Sequence, residues 1–293
     1  MSALVTSLPG YREPAARLAK ALDLPFTATD VHRFPDGESK VTVPATPPAT
    51  VVFCQSLDRP NDKLIELQLA CATLRDLGTE RILLVAPYLC YMRQDKAFHP
   101  GEAVSQRIIG RHLASLVDGL ITVDAHLHRI HDLHAAVPLE TAINLSAAPR
   151  LGEFLAGRVE NPLLLGPDAE SEQWVAQVAA AGGFDHAVAT KERFGDRQVR
   201  IHLPDTDFRA RTVVLVDDVI SSGYTIAEAA RAVRAAGAAT VHCLVTHPLF
   251  APGAEALLRE AGVAEVWSSD AIVHPSNAIH LADMLAATLQ PLL

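Results

Sequence analysis

Nowhere in the 293-residue chain do two cysteines form a CxxC pair, and the four present, Cys54, Cys71, Cys90 and Cys243, stand far apart. That spacing excludes a disulfide framework and a cysteine zinc site, and it fits buried thiols in a reducing compartment. No run of about 18 apolar residues occurs, and Met1 to Gly10 carries neither a basic leader nor an apolar stretch of signal length. No membrane partner is expected, and a cytoplasmic, soluble protein is. Excess positive charge is missing too: 25 Lys and Arg face 34 Asp and Glu, a net charge of -9. Such a surface repels nucleic acid, so the expected partner is a small molecule, a phosphorylated one if a local basic pocket holds it. A Walker-type loop, GxxxxGK followed by Ser or Thr, is also absent, so a bound nucleotide would need another site.

What is present is ordinary globular material, 49% hydrophobic and 20% charged, in a chain long enough for two cores. Short apolar runs alternate with stretches of helical period. Strands are expected at Thr50–Cys54, Arg81–Ala86, Leu120–Val123, Pro162–Leu165, His186–Ala189, Thr212–Val216 and Thr240–Val245. Helices are expected at Asn61–Leu77, Gly101–Val117, Ser171–Ala181, Thr225–Ala236 and Gly253–Ala261. Near-continuous apolar strands separated by helices imply parallel sheets covered on both faces, with ligands beyond the strand C-termini. The expected fold class is α/β, two tandem doubly wound parallel-sheet domains at 1–143 and 144–293. Val137–Pro149 reads as the divider, and Asn277–Leu293 as one amphipathic helix packing back on either domain.

The most informative segment is the buried run Val213-Val214-Leu215-Val216, ending in Asp217 and Asp218 and followed by Ile220-Ser221-Ser222-Gly223-Tyr224-Thr225 and a helix. Small residues let backbone N–H groups turn toward an anion, and a helix N-terminus adds partial positive charge, so a terminal phosphate is stabilised there. The hydroxyls of Ser221, Ser222 and Thr225 add donors. Two carboxylates beside that loop suit the vicinal hydroxyls of a ribose, or Mg2+. A ribose 5-phosphate moiety satisfies both halves. This segment resembles the phosphoribosyl-diphosphate loop of the type I phosphoribosyltransferase fold.

Four further segments resemble the ribose-phosphate diphosphokinase family, also called phosphoribosyl-diphosphate synthase. They are Arg33-Phe34-Pro35-Asp36-Gly37-Glu38, Pro87 to Asp95, Thr122 to Arg129, and Leu165-Gly166-Pro167-Asp168-Ala169-Glu170. The resemblance implies that Phe34, Asp36 and Glu38 line an adenine pocket shared across a subunit interface, hence a homo-oligomer. It implies that Arg93, Gln94 and Asp95 contact ATP, and that His126 and Asp168 lie by ATP and Mg2+. His128, His131 and His134 follow closely, but no acidic or cysteine ligand set accompanies them, so a zinc cluster is discounted. Glu170 and Ser171 depart from the family pattern, which has glycines there, and this puts the local backbone path in doubt.

Lys191-Glu192-Arg193 precedes a polar stretch to Leu203 suited to a mobile flap, and the family's flexible loop carries a basic pair in this pattern. Lys191 and Arg193 would stabilise charge on a transferring phosphoryl group; Arg197 and Arg200 are weaker candidates. The resemblance thus implies an Mg2+-dependent transfer of diphosphate from ATP to ribose 5-phosphate. Two alternatives stay open: a phosphoribosyltransferase that consumes the product, against which the ATP segments argue, and a non-catalytic regulatory paralogue, disfavoured by Lys191 and Arg193.

Overall fold

Apolar, β-branched runs such as Thr50–Cys54 and Arg81–Ala86 are buried almost throughout, as central strands of a parallel sheet must be. The computed structural model describes residues 3–127, 132–193 and 199–293, with only the backbone at 193 and 199. His128, Arg129, His131 and Arg197 lie outside the described residues. The chain divides into two units, Met1–Leu145 with Leu281–Leu293, and Ser146–His280.

The first unit contains β1 (Ala3–Thr6), α1 (Arg12–Ala21), the hairpin β2 (Asp30–Arg33) and β3 (Ser39–Thr42), then β4 (Thr50–Cys54) and α2 (Pro60–Asp76). It continues through β5 (Arg81–Ala86), α3 (Ser105–Leu116), β6 (Gly119–Val123) and β7 (Thr141–Leu145). The sheet order is β1-β4-β5-β6-β7, all parallel. A bridge from Val5 to Phe26, backed by Thr27 N donating to Val5 O at 3.1 Å, adds an extended segment outside β1. The chain therefore runs from β1 outward and returns to β4 on the other side. That reversal makes the sheet doubly wound and puts its switch point at β1 and β4.

The second unit contains α4 (Ala148–Ala156), β8 (Leu163–Gly166), α5 (Glu172–Gly182), β9 (Asp185–Val188), and a hairpin of β10 (Thr190–Arg193) and β11 (Val199–His202). After it come β12 (Thr212–Ile220), α6 (Tyr224–Ala235), β13 (Thr240–Pro248), α7 (Ala254–Glu260), β14 (Val266–Ser269) and β15 (Asn277–Ile279). The parallel sheet runs β15-β14-β13-β12-β8-β9, with its switch point at β8 and β12. Its core packs Leu163, Leu165, Val213, Leu215, Val241 and Cys243 against Ile226, Ala230 and Val233 of α6. The last helix, α8 (Ala282–Leu289), packs on α1 of the first unit.

Several expectations need correction. The boundary between the units, after Leu145, falls inside Val137–Pro149, but that segment also contains β7, an unexpected edge strand whose half-buried sequence lacks a continuous apolar run. Asn277–Leu293 is not one helix: Asn277–Ile279 pairs with β14, and helix starts only at Ala282. β12 extends four residues past Val216, because Asp217, Val219 and Ile220 keep pairing with β13. α3 begins at Ser105 rather than Gly101, whose φ of 89° is left-handed and not helical. All four cysteines are buried, and burial pushes the Cys71 and Cys90 thiols up to about 12.

Candidate active site

The acidic pair stands near the C-terminal end of β12. Asp218 is 4% exposed, and its amide donates to Asp217 Oδ1 at 3.0 Å. Burial, then the like charges of Asp218 and Asp168, hold the Asp217 carboxyl well above the usual carboxylate range. Beyond Ile220 the exposed Ser221 and Ser222 lead to Gly223, the N-cap of α6, at φ 77°. A Cβ there would be strained as well as lying 3.5 Å from Ala254 Cβ, so glycine is the apt residue. Tyr224 and Thr225 form the first turn of α6, whose 12 residues supply the N-terminal partial charge.

Asp168 follows β8. Its Oδ1 accepts from Glu170 N at 3.1 Å, and Ser171 Oγ donates to Asp168 O at 2.6 Å. Ser171 is 1% exposed and lies under Gly166, where a Cβ would come 2.5 Å from its hydroxyl. The departure at Glu170 and Ser171 thus builds a capping box that fixes Asp168 at the strand end. Lys191 Nζ pairs with Asp168 Oδ2, both side chains being 12% exposed. Lys191 sits on β10 opposite Ile201 of β11, so the hairpin delivers it. Arg193 pairs with Val199 by backbone, and its side chain lies outside the described residues.

In the first unit, Phe34, Asp36 and Glu38 occupy the turn joining β2 to β3. Gly37, at φ 94°, donates to Phe34 O at 3.0 Å, and Phe34 N donates to Glu38 O at 2.8 Å. Asp36 Oδ1 accepts from Glu38 N at 3.2 Å, and Phe34, 42% exposed, has the His32 ring edge-on at 4.8 Å. The turn borders an open groove of 670 Å³ with Asn61, Asp62, Ile65 and Leu69 of α2. What holds the hairpin on α2 is Glu66: buried, it accepts from Arg33 Nη2 at 2.9 Å and Ser39 Oγ at 3.1 Å, and Arg33 also reaches Asp62. No local sequence signal marks Glu66, because its partners lie 33 and 27 residues away.

Exposed Arg93 and half-buried Gln94 follow β5 in a loop anchored by Met92, whose carbonyl accepts from Gln106 Nε2 at 3.1 Å. Gln94 O accepts from Gln106 N at 3.2 Å, and Asp95 is 8% exposed. The Tyr91 hydroxyl donates to Asn61 Oδ1, tying this loop to the first turn of α2 and so to the groove beside Asp36. His126 is half-buried after β6, where Ala125 N donates to Asn144 Oδ1 at 2.9 Å. Among the described residues no three His, Cys, Asp or Glu side chains gather to hold a metal ion, and none of the helices is long and apolar enough to cross a membrane.

Two doubly wound units, one carrying a small-residue loop between an acidic strand end and a helix N-terminus, define a phosphoribosyl-type α/β protein. Residues 3–116 match the N-terminal domain of ribose phosphate pyrophosphokinase and residues 140–277 the phosphoribosyl transferase domain. A ribose-phosphate pyrophosphokinase of Methanopyrus kandleri is 37% identical over 280 residues, 94% of each chain, and one of Methanosarcina acetivorans is 36% identical over 97% of this chain and 98% of that one. The solved structure of phosphoribosylpyrophosphate synthetase from Mycobacterium smegmatis shares the fold, with a TM-score of 0.83, 24% identity, and coverage of 100% and 99%. The chain belongs to the ribose-phosphate pyrophosphokinase family.

Proposed function

We propose that the chain transfers the β,γ-diphosphoryl group of ATP to the 1-hydroxyl of ribose 5-phosphate, giving phosphoribosyl diphosphate and AMP for nucleotide biosynthesis. The observation that carries this is the β12–α6 cradle, in a chain whose other half matches the N-terminal domain of a pyrophosphokinase. In this reading the 5-phosphate lies on the backbone and hydroxyls of Ser221, Ser222, Gly223, Tyr224 and Thr225. Asp217 and Asp218 accept from the ribose hydroxyls. The turn of Phe34, Asp36 and Glu38 and the loop of Arg93, Gln94 and Asp95 hold ATP, the guanidinium suiting bidentate contact with phosphate.

The 1-hydroxyl oxygen bonds to the β-phosphorus, the bond from that phosphorus to the α,β-bridging oxygen breaks, AMP leaves with that oxygen, and the hydroxyl proton passes to solvent. Lys191 and Arg193 stabilise charge on the equatorial oxygens. Mg2+ binds through substrate phosphates, water and one or two protein ligands rather than an all-protein cage, and the Asp168 carboxylate at the end of β8 is a hard oxygen donor of the kind it takes. Asp168 and His126 are its residues in this reading, and bound Mg2+ supplies charge neutralisation on the triphosphate. A cytoplasmic homo-oligomer, with the hairpin turn serving a neighbouring subunit, belongs to the same proposal.

The test is to mix the protein with ATP, Mg2+ and ribose 5-phosphate and to separate AMP from ADP. AMP formed only with the sugar is the expected result. ADP would mark a simple kinase, and neither product would leave a regulatory paralogue.

A further inference from the structure

Behind the phosphate loop, the segment after β13 carries a backbone conformation that a bulky residue rarely adopts: Phe250 has φ 23°. Such strain persists only where surrounding contacts over-determine it, and it points toward a functional constraint. Backbone and ring contacts do so here. Phe250 N donates to Ile220 O at 3.0 Å, and Ala251 N donates to Ser221 O at 2.9 Å. The Phe250 ring, 8% exposed, lies 4.6 Å from the His274 ring at a 36° tilt. His274 is itself held: its amide donates to Asn277 Oδ1 at 2.9 Å, and Asn277 Nδ2 donates to Ser269 O at 2.6 Å and Ile272 O at 3.0 Å.

The consequence follows from the planarity of the trans peptide, in which C=O and the next N–H point in opposite directions. Pinning the Ile220 carbonyl behind the loop turns the Ser221 N–H to the front. Pinning the Ser221 carbonyl does the same for Ser222 N–H. Among the described residues neither of these N–H groups donates to a backbone carbonyl, so both remain for an anion in front.

We infer that Phe250, braced by His274, is a positioning residue that aims the Ser221 and Ser222 amides at the 5-phosphate of the sugar. This rests on the reading of the β12–α6 loop as the phosphate cradle. Phe250 touches no substrate atom; it acts through the carbonyls it and Ala251 hold. Its effect therefore falls on the sugar phosphate and not on ATP. Misaligning this pair of charge-assisted N–H donors, which weakens but does not abolish them, should lose about tenfold to a hundredfold in affinity, equivalent to roughly 1.4–2.7 kcal/mol in total.

The experiment compares Phe250→Leu, which keeps an apolar side chain but removes the ring, with His274→Ala, Phe250→Tyr and the cradle variant Thr225→Ala. An open groove of 260 Å³ bordered by Phe250, Glu255, Arg259 and His274 gives the tyrosine hydroxyl room. Steady-state constants for both substrates and a thermal melt are read for each variant. Phe250→Leu and His274→Ala should raise KM for ribose 5-phosphate at least about tenfold, leave KM for ATP within about twofold and melt as folded proteins, while Phe250→Tyr restores the parent constants. If both KM values rise together, or neither does while Thr225→Ala raises that for the sugar phosphate, the positioning role is overturned and the cradle stands. If Thr225→Ala is also without effect, the cradle reading falls, and this inference with it.

Discussion

Replacing Lys191 by alanine separates two effects of opposite sign. Lys191 and Asp168 are each 12% exposed and paired. A unit pair at about 4 Å in an effective dielectric near 20 attracts by roughly 4 kcal/mol, of which desolvation leaves about 1–2 kcal/mol net. A cation or sugar hydroxyl that seeks Asp168 must first undo that pair. Removing the ammonium should therefore tighten binding of Mg2+ or Mn2+ with ribose 5-phosphate by about 5- to 30-fold. Turnover should move the other way. A mobile cation that stabilises phosphoryl-transfer charge supplies roughly 4–7 kcal/mol, so kcat should fall by about 10³ to 10⁵. Calorimetric titration of the metal and sugar phosphate, together with AMP formation in a single turnover, reads both. A variant that turns over within about tenfold of the parent removes Lys191 from the chemistry. Weaker binding of metal and sugar would refute the competition for Asp168.

Asp217→Asn should raise thermal stability while weakening ribose 5-phosphate binding. A carboxyl whose pKa is raised by folding costs stability increasingly as pH rises above its unfolded value. The gain, about 0.5–2 kcal/mol at neutral pH, should shrink to nothing as pH falls below about 4; melts across that range check it, and a constant difference would refute the cause assigned. Gly223→Ala forces a side chain onto φ 77° and should cost about 1–2 kcal/mol, with KM for ribose 5-phosphate rising and KM for ATP unmoved. Glu66→Ala frees the β2–β3 hairpin from α2. Arg33 keeps Asp62 and is half exposed, so the net cost is about 2 kcal/mol, and KM for ATP should rise about tenfold with that for the sugar unchanged.

The strand, loop and helix start of the proposed phosphate cradle could be read from sequence because they are contiguous, so local chemistry alone defines them. The same holds for the central strands, whose unbroken apolar runs reflect burial on both faces. Edge strands escaped: β15 has three residues, one of them exposed, too short to show an apolar pattern even though Asn277 pairs with nearby Ser268 of β14. The contacts that shape the candidate site escaped because they join residues far apart in the chain. Lys191 meets Asp168 across 23 residues, and Glu66 meets Arg33 across 33. Residue type names candidates such as Lys191, while only tertiary structure shows what each one faces.

The two units also follow one plan. Element by element, β1, α1, the Phe26 segment, hairpin β2–β3, β4, α2, β5, α3, β6 and β7 correspond in order to β8, α5, β9, hairpin β10–β11, β12, α6, β13, α7, β14 and β15. In the second unit the helix packed on α5 is α4, which precedes β8; in the first, the helix packed on α1 is α8, from the chain's end. The last helix thus fills a position the first unit would otherwise leave open, which is why it packs there. Counting from Thr50 and Thr212, the acidic pair of β12 corresponds to Gln55 and Ser56, and both loops cap their helix with a left-handed residue, Arg59 or Gly223. The first unit has closed its loop from within: Lys63 Nζ binds Asp58 Oδ1 at 2.6 Å and Ser56 O at 3.0 Å. An internal carboxylate already neutralises the cation there, so an incoming phosphate gains little. Of the two corresponding loops, the second unit's carries the acidic pair, Asp217 and Asp218, which accords with the ribose 5-phosphate site proposed there.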